Sequence, residues 1–172
     1  MTKEDRKRIL EEIIEDPVEM YKFIIKLNRS IKFPEYHVAD CTVSHNIESY
    51  FINGHCNIYS AILYGIFGEY ATPYANFEHI ITKIGDQYYD ALGFVSVLED
   101  DKTKRGEKYY DRTIDEIMDV KYMRLGQYDP NEDDPIMEQG IRYGKELLES
   151  IIQERFAKEQ EKEPKENRTH KL

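Results

Sequence analysis

The chain has 172 residues, enough for one domain with a real core and too few for two. A formal net charge of −10, with 34% charged residues, sets the average surface against nucleic-acid backbones and acidic lipid, so neither is an expected partner. No stretch approaches the ~20 apolar residues of a membrane span, and the opening MTKEDRKRIL lacks the apolar run of a signal peptide. A cytoplasmic location is therefore expected, where the two cysteines, Cys41 and Cys56, stay reduced and unpaired.

In chain order, the first ~30 residues predict two helices broken at Asp16-Pro17. Ile9, Leu10, Ile13 and Ile14 recur at helical spacing, as do Met20, Tyr21, Ile24, Ile25 and Leu27, and Asp16 before Pro17 makes a good N-cap and N1 pair. From Phe33 to Tyr50 the periodicity lapses and Pro34, Asp40, Ser44 and Asn46 predict a loop-rich stretch. A helix is expected from Asn53 to Gly68, with a connection through Ala71-Thr72-Pro73. Residues 78–92, EHIITKIGDQYYDAL, predict a β-hairpin turning at Gly85-Asp86, with a third strand from Phe94 to Leu98. The acidic run Glu99-Asp100-Asp101-Lys102 reads as a solvated turn, and Ile114 to Met118 as a short helix. A long helix is expected from Pro135 with Asp134 as N-cap. This gives one α+β domain over residues 1–158 and a charged tail, 159–172, too polar to pack.

The chemistry concentrates in the central helix and the hairpin. A free cysteine with a pKa of about 8.5 is mostly protonated at neutral pH, so a catalytic thiol needs help to ionise. With Asn53 as N-cap, Gly54, His55 and Cys56 occupy N1, N2 and N3, and the sulfur sits beside unpaired backbone N–H groups and the positive helix end. Ile58, Tyr59, Ile62, Leu63, Ile66 and Phe67 make this a buried, rigid helix.

In the hairpin, a two-residue turn at Gly85-Asp86 makes paired numbers sum to 171, so His79 faces Leu92 and Ile81 faces Asp90. His79 and Asp90 become diagonal neighbours on one face, roughly 7–8 Å apart at the backbone. The expected roles are Cys56 as nucleophile, His79 as general base and then acid, and Asp90 as the carboxylate orienting the imidazole. The Cys56 N–H is the natural oxyanion donor, and Asn53 is expected as helix cap or second donor. No cofactor is called for.

Cysteine at a helix start, histidine on a strand and aspartate on the next strand resemble the papain-like superfamily in its wide sense, transglutaminase-like proteins and arylamine acetyltransferases included. GHCNIYSAILYGIFG followed by HIITKIGDQYYDALG is similar to compact bacterial and phage proteins with this core. The resemblance covers residues 53–93 and implies a papain-like core: a central nucleophile helix packed on a small antiparallel sheet, flanked by N- and C-terminal helices. It implies a cysteine peptidase, amidase or acyltransferase acting on a peptide, amide or acyl substrate. The sequence departs from the pattern in its short Cys–His spacing of 79 − 56 = 23 residues, and the papain nucleophile signature and upstream glutamine are absent.

Three other readings compete. A binding or inhibitory protein of the kind phages encode would keep the core as a scaffold and engage a protein partner. A zinc site would draw on Cys41, His45, His55 and Cys56, although their spacing lacks the paired short loops of structural zinc modules. The run Asp129 to Asp133 imitates the opening of a calcium loop, but Asp134 replaces the required glycine, so a helix-capping loop is expected there.

Overall fold

A computed structural model describes residues 1–39, 41–52, 54–76, 78–95, 109–119 and 130–162. Helix α1 (Lys3–Glu15) opens with a capping box between Thr2 and Asp5 and buries Ile9, Leu10, Ile13 and Ile14. Helix α2 (Pro17–Ser30) follows at once, because Asp16 accepts from the N–H groups of Val18 and Glu19 while Pro17 takes the first turn, as its sequence predicts.

The stretch expected to be loop-rich holds more structure than its composition suggests. Strands β1 (Glu35–Val38) and β2 (Cys41–Ser44) pair into a two-stranded hairpin, and a π-helical turn spans Glu48–Ile52. The hairpin turns at Ala39, a non-glycine residue with φ of 53°. Helix α3 (Cys56–Phe67) then runs to Gly68, whose φ of 58° ends it.

The second sheet has five antiparallel strands in the order β6-β5-β4-β3-β7. They are β3 (Ala71–Ala75), β4 (Ile80–Ile84), β5 (Gln87–Asp90), β6 (Gly93–Val95) and β7 (Tyr110–Asp111). The expected turn forms at Gly85-Asp86: Gly85 adopts a φ of 59°, and Ile84 pairs with Gln87, Lys83 with Tyr88 and Thr82 with Tyr89. Where a connection through Ala71-Thr72-Pro73 was expected, β3 forms and pairs with both β4 and β7.

Helix α4 (Ile114–Met118) occupies the expected residues, with a capping box from Thr113 and Glu116. Helix α5 (Pro130–Lys162) includes Pro135 in its interior, so Asp134 is a helical residue and not the cap its sequence suggested. The acidic run 99–102, residues 96–98 of the expected third strand, Asp129 of the calcium-like run and tail residues 163–172 lie outside the described residues. The tail expected to be unpacked from residue 159 continues helical as far as Lys162.

The chain is thus a mixed α+β protein. Helix α3 is its centre, contacting β3 and β4 on one side and α5 on another. Ile58, Ile62 and Leu63 are fully buried among Phe23, Ile24 and Leu27 of α2 and Ile152 of α5. Among the described residues, no helix is long and apolar enough to cross a membrane.

Candidate active site

Helix α3 aims Cys56 at the sheet. Four residues on, Ser60 shares its face, and the Ser60 and Thr82 hydroxyls lie 2.8 Å apart in a fully buried contact that fixes α3 against β4. Cys56 itself is half-buried and packs against Ala75, Ile80 and Ile117, at the end of the sheet where β3 turns into β4.

The helix starts later than its sequence suggests. The N-cap is His55, whose side chain makes no capping hydrogen bond, so Cys56 is the first helical residue and not the third. Asn53, expected as cap or oxyanion donor, lies outside the described residues, and the cap position belongs to His55. The chemical expectation for sulfur is unaffected. The first-turn N–H groups of Cys56 and Asn57 have no intrahelical acceptor, and the positive end of the helix dipole sits at the thiol.

His79 is delivered by the turn joining β3 and β4. Asn76 builds that turn: its Oδ1 accepts from the N–H groups of Glu78 (2.8 Å) and His79 (2.7 Å), and its own N–H donates to the His79 carbonyl (3.0 Å). Asp90 ends β5, and the Leu92 N–H donates to its Oδ1 at 2.8 Å. The other carboxylate oxygen, Oδ2, lies 3.1 Å from His79 Nε2. Behind this turn, Asn28 of α2 donates to the Ala91 carbonyl and accepts from the Tyr59 hydroxyl, each at 2.7 Å, so a second helix braces the carboxylate's backbone.

The electrostatics tie the three groups together. Burial disfavours the charged imidazole of His79, but hydrogen bonding to Asp90 and to Cys56, with the negative charge of both, outweighs it and raises the pKa to about 9. With Nε2 facing Asp90, Nδ1 is the nitrogen left for the thiol. Cys56, His79 and Asp90 line one narrow crevice with Phe51, Ser60 and Tyr89.

The three residues meet by a different route from the one the strand pattern implies. The cross-strand partners Lys83 and Tyr88 share a face with Tyr74, whereas Thr82 faces α3. Strict alternation through His79 and Asp90 would carry both side chains away from the cysteine. Since His79 precedes β4 and Asp90 ends β5, both stand where alternation no longer governs.

A second cluster lies beside the cysteine and was not foreseen. Asp133 of α5, 2% exposed, accepts a short hydrogen bond from the Tyr50 hydroxyl and lies 3.6 Å from His55 Nε2. The His55 ring stacks on Tyr50 with centroids 4.2 Å apart. The zinc alternative does not assemble: no group of three or more candidate ligands forms among the described residues, and Cys41 is exposed on β2. Both cysteines are free thiols. Compared with known proteins, the chain matches no family model, no curated protein and no solved structure.

Proposed function

We propose that the protein is a thiol-dependent acyl-group hydrolase of the peptidase or amidase kind, or an acyltransferase, working through Cys56, His79 and Asp90 on a papain-like core. The observation that carries this reading is the imidazole held between carboxylate and thiol, with Nε2 at 3.1 Å from Asp90 and a pKa raised to about 9 partly by Cys56.

The chemistry follows from those contacts. His79 takes the thiol proton, and the sulfur attacks a carbonyl carbon, forming a C–S bond while the carbonyl π pair moves onto oxygen. When that pair returns, the bond to the leaving group breaks and His79 protonates the departing nitrogen or oxygen. Water or an amine then attacks the thioester, giving its proton to His79, and the C–S bond breaks to return the thiolate. Asp90 keeps the imidazole oriented and stabilises its charged form throughout. A reducing compartment suits this thiol, and a peptide, amide or acyl compound is the substrate class this chemistry takes.

Iodoacetamide labelling tests the reading, with Cys41 as internal control. Cys41 is exposed and Cys56 half-buried, so access alone favours Cys41. An activated Cys56 reacts faster than Cys41 at neutral pH, and His79→Ala abolishes the advantage. Labelling of Cys56 no faster than Cys41 would mark the site as a scaffold and favour the binding-protein alternative.

A further inference from the structure

Two imidazoles lie beside Cys56, and the proposed chemistry uses one of them. The other, His55, immediately precedes the cysteine and is gripped on three sides. Its ring stacks on Tyr50 at 4.2 Å with 5° between the planes, its Nδ1 lies 3.3 Å from the Tyr50 carbonyl oxygen, and its Nε2 lies 3.6 Å from Oδ1 of Asp133. Both ring nitrogens of His55 thus face oxygens, which leaves the role of base to His79.

The backbone of His55 is held as closely. Its N–H donates to the same Tyr50 carbonyl at 3.0 Å, and its own carbonyl, at the cap of α3, accepts from the N–H groups of Ile58 at 3.0 Å and Tyr59 at 3.3 Å. Asp133, 2% exposed, also accepts from the Tyr50 hydroxyl. It shares a face of α5 with Gly140 and Gly144, where a Cβ would strike Ile62 and Ile66 of α3. The two helices run in close contact, and that contact carries Asp133 to the start of α3.

We propose that His55 is a positioning residue, its ring clamped between Tyr50 and Asp133 so that the first turn of α3 holds the Cys56 sulfur toward His79 and the Cys56 N–H toward the carbonyl under attack.

The link from ring to sulfur is the peptide bond. The Cys56 N–H belongs to the planar unit whose carbonyl is that of His55, so fixing His55 at its ring, N–H and carbonyl fixes where that N–H points. The same plane fixes the Cα of Cys56, from which the sulfur hangs. A shift of about 1 Å at a reacting atom costs on the order of 10²-fold in rate. Capping alone does not call for an imidazole, since His55 makes no side-chain capping bond and Ser, Thr, Asp and Asn cap better. Stacking alone needs a ring and no nitrogen.

The inference rests on Cys56 being the nucleophile, and iodoacetamide labelling with the exposed Cys41 as internal control separates the two claims. His55→Phe keeps a ring against Tyr50 and loses both nitrogens. Asp133→Asn keeps an oxygen for the Tyr50 hydroxyl and changes the group that faces His55. Each should slow Cys56 alkylation by about 10- to 100-fold and leave Cys41 unchanged. The double variant should fall no further than the slower single one, because both changes act through one contact. A second readout follows the thiol itself: hydrogen bonding to Cys56 helps raise the His79 pKa to about 9, so in His55→Phe the NMR midpoint of the His79 ring should fall.

Unchanged Cys56 alkylation in either single variant, losses that multiply in the double, or an unmoved His79 midpoint would overturn the positioning role. Wild-type Cys56 that reacts no faster than Cys41 would overturn the nucleophile reading, and the inference with it. Should either variant lose its near-ultraviolet circular dichroism, His55→Asn supplies a favoured cap residue without the ring. It should still slow Cys56 alkylation, and an unslowed Cys56 would overturn the inference.

Discussion

His79 is the residue on which the site's electrostatics turn. Burial alone would leave a neutral imidazole, and the partners Asp90 and Cys56 reverse that outcome and raise its pKa to about 9. An NMR titration of the His79 ring should therefore show a midpoint near 9, and in Asp90→Asn the midpoint should fall by about 1–3 pH units as burial loses its main opponent. The same shift couples folding to pH. Because the folded pKa lies above the ordinary value of 6.5, the stabilisation from His79 is complete below about 6.5 and disappears as pH rises through about 9. The stability difference between wild type and His79→Gln, read by urea unfolding, should accordingly shrink over that window. A constant difference from pH 6 to 10 would contradict the geometry at Asp90.

Among the elements, α3 is held from two directions, and the two grips differ in how far the sequence announces them. The Gly85-Asp86 turn and its flanking β-branched and aromatic runs were legible, and their register follows from turn length alone. Helices α1 and α2 were legible from spacing and from Asp16-Pro17. Strand β3 was not, because Pro73 argues against a ladder position. The Pro73 carbonyl accepts from Arg112 N–H at 2.9 Å, on the β7 side. Backbone N–H and C=O of a strand residue point the same way, so the missing donor also faces that side and costs β3 nothing in its pairing with β4. Nor could spacing reveal Asp133, whose contact with Tyr50 spans 83 residues. The three site residues were legible as types at a spacing, yet their meeting depends on turns that break the alternation used to join them. Asp133→Ala removes the acceptor of the Tyr50 hydroxyl and the partner of His55 beside Cys56, and should cost about 1–3 kcal/mol in urea unfolding. On the other grip, a Cβ at Gly144 would come within 2.1 Å of Ile66 Cδ1 and 2.6 Å of its Cγ1. Gly144→Val should therefore lower stability by about 1–3 kcal/mol through overpacking, despite the poor helix propensity of glycine, seen as a lower urea midpoint at unchanged m-value.

Across the whole molecule, the two sheets differ in what supports them. The five-stranded sheet lies against α3, and α3 is enclosed by α2 and α5, so its backbone opens only when the core opens. The β1–β2 hairpin pairs only with itself among the described residues, and Cys41 and Thr42 on its second strand are exposed. A two-stranded hairpin separate from the five-stranded sheet is marginal in water, so these strands should open locally without the core. Native-state hydrogen exchange would read the difference. Amides of Ile62, Leu63 and Thr82 should exchange through global unfolding, with protection set by the full stability, on the order of 5–15 kcal/mol for a domain. Amides of β1 and β2 should exchange far faster and respond weakly to denaturant, because little surface is exposed when they open. If the hairpin exchanged together with α3, it would belong to the cooperative core. The partition bears on the proposed thiol chemistry because Cys56 comes from α3 and His79 and Asp90 from the five-stranded sheet that lies against it. If the exchange data place α3 and β4 in the globally protected class, the frame holding the Cys56 thiol, the His79 imidazole and the Asp90 carboxylate is the part of the molecule best able to keep them aligned.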